Sequence, residues 1–295
     1  TPLYSSAASD VYKRQTYGTA LDLGTSNVGA SRFTTSGLIN SDTVTAVVLN
    51  QNGNTTVPVG QSAGSYTGPT NGILVSNASG TGLANYAITY APATLTIQPK
   101  ALSVAGQTAA NKVYDSGTIA TINSGSASLV GVVGTDAVSL NAAGAYGTFA
   151  DANVANGIAV TVGGNALSGT AASNYTIVQP TGLTANITPA SLTVTARADA
   201  KFVTQSDAVG YNGAAITGFV GSETSAVLGG TLAITRTNAS VNSASLTPYA
   251  GVLQPSGLTS NNYTIQYVAG DYQIVPAQTL IVKVANATVT YGGSA

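Results

Sequence analysis

A short pattern of alternating apolar and polar positions returns three times along the chain. Tyr86, Ile88 and Tyr90 alternate with Ala87 and Thr89; after a break, Leu95 and Ile97 alternate with Thr96 and Gln98, and Pro99 closes the segment. The second copy reads Asn174-Tyr175-Thr176-Ile177-Val178, then Ala185-Asn186-Ile187-Thr188-Pro189. The third reads Asn262-Tyr263-Thr264-Ile265-Gln266-Tyr267, then Tyr272-Gln273-Ile274-Val275-Pro276. Period-two alternation rich in aromatic and β-branched residues predicts strands with one buried face. The breaks hold Pro92, Pro180 with Gly182, and Gly270-Asp271, which are turn formers, so each pair of runs is expected to be a β-hairpin. Tyr86, Tyr175 and Tyr263 stand 89 and 88 residues apart, and a constant period of this size predicts tandem repeats.

Other landmarks keep the period. Early aromatics occur at Tyr17, Tyr114, Phe202 and Tyr291, and acidic markers at Asp42, Asp136 and Glu223. The expected organisation is a module over 16–99, a second over 100–189, a third over 190–276, and the start of a fourth over 277–295. The closing prolines Pro99, Pro189 and Pro276 suit strand edges, and the joints after them leave little freedom, which predicts a stiff array of modules that each fold alone. Residues 1–15 differ from the rest. They carry Lys13 and Arg14 and resemble a translated sequencing-adapter fragment, so they are expected to be an artefact or a disordered, unpacked tail.

Composition sharpens this picture. Charged residues are 6% of the chain, against roughly 25% in an ordinary domain. Strand and turn formers dominate, so the predicted fold class is all-β: a tandem array of small β-sandwich-like modules, Ig-like or β-grasp-like, of about 88 residues. The net charge of −1 leaves no electrostatic footprint for nucleic acid or an anionic membrane. No apolar run reaches the roughly 18 residues of a membrane-spanning helix, so no membrane insertion is expected. The chain has no cysteine, which suits a protein exported unfolded, because no premature disulfide can form.

The repeat unit resembles the Gly-rich MBG and YDG modules found in tandem in large bacterial surface adhesins, including filamentous-haemagglutinin-like proteins of two-partner secretion. Tyr17-Gly18 and Tyr291-Gly292 match the Tyr-Gly type, and Val113-Tyr114-Asp115 the Tyr-Asp-Gly type, with Ser116 inserted before Gly117. The third unit departs, with Phe202-Val203 in place of Tyr-Gly. The resemblance implies a secreted protein of the bacterial cell surface, exported through an outer-membrane pore. It also implies contact with host glycan or surface protein through other domains.

Candidate chemistry is sparse. Without histidine or cysteine, most nucleophile–base pairs and the common zinc ligands are missing. The carboxylate pairs Asp199/Asp207 and Asp136/Asp151 form no cluster in sequence, and no calcium-loop pattern occurs. No catalytic, cofactor or metal residue is therefore assigned. Asp42, Asp136 and Glu223 are expected to tie turns. Tyr86, Tyr175 and Tyr263 could form a sugar-stacking platform, but beside alternating aliphatics they are expected to pack in the core. Tyr146, Tyr211 and Tyr249 lie outside the shared segment and are the candidates for surface contact. The function expected is a structural stalk or display region of an adhesin. The alternative is repeats that themselves bind host glycan or protein.

Overall fold

The structure is a computed structural model that describes residues 3–7, 13–27, 33–277 and 280. It is all-β, with only single-turn helical pieces among the described residues. Each repeat is framed by four strands. The first framework strands are Leu3–Ala7, Lys100–Ala105 and Ala190–Ala196. The second are Lys13–Thr16, Lys112–Val113 and Asp199–Phe202. The third and fourth come from the segment with the alternating pattern: Tyr86–Tyr90 with Leu95–Gln98, Tyr175–Val178 with Leu183–Thr188, and Tyr263–Val268 with Gly270–Val275.

The predicted hairpin is corrected at this point. In every repeat the third and fourth framework strands lie in different sheets. The third pairs in parallel with the first, in one register throughout: Leu3 opposite Tyr86, Lys100 opposite Tyr175, Ala190 opposite Tyr263. The fourth pairs in parallel with the second, as Thr16 opposite Gln98, Val113 opposite Thr188 and Phe202 opposite Val275. Two chain segments thus run side by side, and each steps from one sheet to the other. Alternation reports which face of a strand is buried, not which strand lies beside it. A connection of a few residues serves a sheet-to-sheet step as well as a hairpin turn.

The residues between these strands supply antiparallel partners. Thr43–Asn50 pairs with Thr25–Asn27 and Leu74–Thr81. Ala155–Gly163 flanks Leu183–Thr188 in a five-stranded sheet. Tyr249–Thr259 lies between Gly229–Arg236 and Gly270–Val275 in a four-stranded one.

Two compact units result, and they do not coincide with the repeats. The first draws its described residues from 1–107, 123–145 and 162–180, the second from 108–122, 146–161 and 181–295. The core of the first unit gathers Leu23, Leu49, Val57, Ile73, Leu95 and Ile97 of the first repeat, and adds Leu102 and Tyr175 of the second. In the second unit, Tyr114, Phe149, Ile158, Val160 and Ile187 of the second repeat pack with Leu192 and Tyr263 of the third. A further cluster holds Ala196, Ile234, Leu253, Tyr272 and Ile274. The first two of these cores therefore each straddle a closing proline, Pro99 and Pro189, whereas the third lies within one repeat. Pro99 and Pro189 mark sequence repeats but sit within packing units, so excising 100–189 would expose part of each of two cores.

Three other expectations meet the structure here. Leu3–Ala7 and Lys13–Thr16 are paired strands, not an unpacked tail. Strand addition uses main-chain groups that any sequence supplies, and Ser5 takes the register position that Leu102 and Leu192 hold in the other repeats. The early aromatic of the third repeat is also corrected. Tyr17 and Tyr114 donate their N–H to the carbonyls of Gln98 and Thr188, and the residue doing the same to Val275 is Val203, not Phe202. The fourth repeat start, with Tyr291-Gly292, lies outside the described residues apart from 277 and 280.

Leu102 is fully buried in the first unit although it belongs to the second repeat. Leu102→Ala is expected to cost about 2–5 kcal/mol. Hydrogen exchange should quicken in Leu95–Gln98 of the first repeat. Faster exchange confined to 100–189 would show that the cores are separate.

Candidate functional site

The acidic markers and the repeat tyrosines meet in one recurring arrangement. In each repeat the acid ends a tight turn: Asp42, Asp136 and Glu223 donate their N–H to the carbonyls of Ile39, Val133 and Val220. The residue after that carbonyl lies in the left-handed region, Asn40 at φ 51°, Gly134 at 53° and Gly221 at 56°. Glycine, and asparagine next, tolerate that conformation. The turn aims a backbone N–H and a carboxylate at the same point.

A tyrosine hydroxyl occupies that point. Tyr86 accepts from Ile39 N–H at 2.9 Å and donates to Asp42 Oδ2 at 2.8 Å. Tyr175 accepts from Val133 N–H at 2.9 Å and donates to Asp136 Oδ2 at 2.6 Å. Tyr263 accepts from Val220 N–H at 2.8 Å and donates to Glu223 Oε2. All three rings are buried, as expected of core tyrosines.

In two of the three copies a second tyrosine arrives from the preceding repeat. Tyr17 donates to the same Asp136 Oδ2 at 2.7 Å, and its ring meets Tyr175 edge-on, centroids 5.3 Å apart at 81°. Tyr114 donates to Glu223 Oε1 at 2.6 Å and meets Tyr263 edge-on at 5.6 Å and 78°. The asparagine before each receiving tyrosine adds a bond to the preceding repeat: Asn174 Oδ1 accepts from Ala63 N–H at 2.8 Å, and Asn262 Oδ1 from Val154 N–H at 3.0 Å. The result is a clasp between consecutive repeats, each clasp lying within one packing unit. Edge-to-face ring pairs contribute about 0.5–1.5 kcal/mol beyond the area they bury.

The protonation states follow from these contacts. The hydroxyls of Tyr175 and Tyr17 hold Asp136 below the usual carboxylate range. The hydrogen bond to Glu223, with burial, pushes Tyr114 up to about 12. Burial, with the Asp136 bond, pushes Tyr175 up to about 12. Asp136 stays ionised and Tyr114 and Tyr175 stay protonated at neutral pH, so the clasp works as a fastener.

The third repeat lacks the donor tyrosine, since Val203 holds that position, and carries a charged network of its own. Arg236 forks onto Asp207, Nε to Oδ2 at 2.8 Å and Nη2 to Oδ1 at 3.2 Å, and Lys201 Nζ lies 2.8 Å from Oδ1. Arg236 also donates to the carbonyls of Asn238, Ala239 and Val241 and lies 4.9 Å from the Tyr272 ring centroid. Burial would raise the Asp207 carboxyl, but bonds from Arg236, Lys201 and Tyr211 outweigh it and hold the group at about 2.

The three surface candidates divide. Tyr146 is 62% exposed. Tyr211 is half-buried, donates to Asp207 Oδ2 at 3.1 Å and packs edge-on against Tyr272. Tyr249 is half-buried and donates to Ser243 O at 2.8 Å. Sequence reasoning missed that the acidic markers bind the tyrosines. The available signal was their near-constant separation of 44, 39 and 40 residues.

Comparison with known families agrees with the repeat lengths. Residues 98–182 match the YDG domain, and residues 12–96 and 192–273 match the MBG domain of the YGX type. The chain belongs to the MBG family, with a YDG domain between its two MBG domains. No curated relative and no solved structure matches it. The tyrosines of the Tyr-Gly and Tyr-Asp motifs, Tyr17 in the first MBG domain and Tyr114 in the YDG domain, are the donor tyrosines of the two clasps.

Tyr17→Phe and Asp136→Asn are each expected to cost about 1–3 kcal/mol. Their combined cost should fall short of the sum, because both act on the same bond, one removing its donor and the other the charge on its acceptor; additive costs would mean the two groups are uncoupled. The raised tyrosines set the alkaline limit. Their ordinary value is 10.0, so this contribution is complete below pH 10 and is lost as the pH rises through about 12. The melting temperature should fall across that window, and less steeply in a Tyr114→Phe, Tyr175→Phe double variant; an unchanged slope would contradict the assignment.

Proposed function

We propose that the chain is a spacer and display segment from the repeat region of a bacterial surface adhesin, secreted through an outer-membrane pore. MBG and YDG domains in tandem are consistent with the repeat region of a surface protein. The observation that carries the reading is the clasp. Tyr17 on Asp136 and Tyr114 on Glu223 tie each repeat to the next inside a common core, so the joints at Pro99 and Pro189 cannot swivel freely. A clasp of this kind fixes the facing parts of two neighbouring repeats against each other, which suits a segment that holds a ligand-binding head away from a cell. Host glycan or surface protein is then contacted by other domains. The absence of cysteine suits passage through a pore as an unfolded chain.

One observation favours the second reading, in which the repeats themselves bind: Tyr146 offers an exposed ring on a strand. A glycan array probed with the full chain separates the two. The spacer reading expects no saturable binding. Saturable binding lost in Tyr146→Ala, with an unchanged melting temperature, would overturn it in favour of a glycan-binding repeat.

A further inference from the structure

The first repeat carries the receiving half of the clasp and, among the described residues, no donor. Asp42, Tyr86 and the turn from Ile39 are in place, with the same bonds as their counterparts. Three features that the other repeats have covered are open here. Ile39 is 43% exposed, whereas Val133 and Val220 are half-buried. Val133 is covered by Gly18: a Cβ on that glycine would lie 2.4 Å from Val133 Cγ2, so only glycine lets the donor turn sit so close. Asn85 is exposed and its side chain has no hydrogen-bond partner among the described residues, whereas Asn174 and Asn262 each accept a backbone N–H from the repeat before. Among the described residues Asp42 bonds one tyrosine hydroxyl, whereas Asp136 and Glu223 bond two.

We propose that Ile39, Asp42, Asn85 and Tyr86 form a docking surface for a further repeat of the same class, joined ahead of Leu3. Its Tyr-Gly or Tyr-Asp turn covers Ile39 and sets its tyrosine hydroxyl on Asp42 and its ring edge against Tyr86. A backbone N–H of its middle segment bonds Asn85 Oδ1. The two filled copies of the site define this occupant atom by atom.

The test is the full chain with a copy of residues 100–188 fused directly ahead of Pro2. The amides of Val133 and Val220 serve as internal references in hydrogen exchange. The Ile39 amide is expected to exchange about tenfold more slowly in the extended chain than in the original. Tyr114→Phe in the added copy and Asp42→Asn should each remove that gain, and together remove no more than either alone. Asn85→Ala should deprotect the added copy of Val154. Unchanged exchange at Ile39 overturns the proposal. So does an added repeat that stays unfolded while Val133 and Val220 remain protected, because the surface would then have failed to receive it. Sedimentation covers the remaining occupant: concentration-dependent dimers of the original chain that Asp42→Asn dissociates would assign the surface to a second copy instead.

Discussion

The structure depends on a carboxylate that accepts two phenolic hydroxyls from two different repeats. Asp136 binds Tyr175 of its own repeat and Tyr17 of the one before; Glu223 binds Tyr263 and Tyr114. A carboxylate has two oxygens and several acceptor sites, so it can serve both donors without a cation. Bonds to an ionised acceptor are worth more than neutral ones. The tyrosine ring meanwhile buries apolar surface, so one side chain carries both the packing and the polar end of the joint. A phenylalanine in the same place would pack but leave the carboxylate short of a donor.

The third repeat shows what replaces this device. With Val203 in the donor position, no hydroxyl leaves that point, and a buried ionic network stands nearby within the same repeat. Arg236 is costly to bury, and its placement works because its N–H groups reach Asp207 and three carbonyls while its plane lies over Tyr272. The tyrosine clasp joins neighbours across a repeat boundary. The arginine network closes one repeat on itself.

The clasp also explains why sequence repeat and packing unit are out of step. In the second and third repeats the first and third framework strands pack toward the repeat before. Pro99 and Pro189 punctuate the sequence where one strand ends and the next begins, yet each lies within a core that draws on both of its neighbouring repeats. Parallel pairing reinforces this. The first strand meets its partner only after most of the repeat has been made, as with Lys100 and Tyr175, so the two halves of a repeat are closed by distant residues.

Much of this was determined by the sequence alone. The alternation at Tyr86–Tyr90 and Leu95–Gln98, and its two later copies, specified strands, their buried faces and the period, because side-chain direction in a strand follows from spacing. The burial of Tyr86, Tyr175 and Tyr263 was legible for the same reason. Pairing was not. Whether Tyr175–Val178 lies beside Leu183–Thr188 or beside Lys100–Ala105 depends on which main-chain groups meet, and main-chain groups are alike at every position. The same holds for the clasp. Asp136 and Tyr17 are 119 residues apart and belong to different repeats, so no local pattern links them. Only the fold, by laying one repeat's turn over the next repeat's tyrosine, decided that they touch.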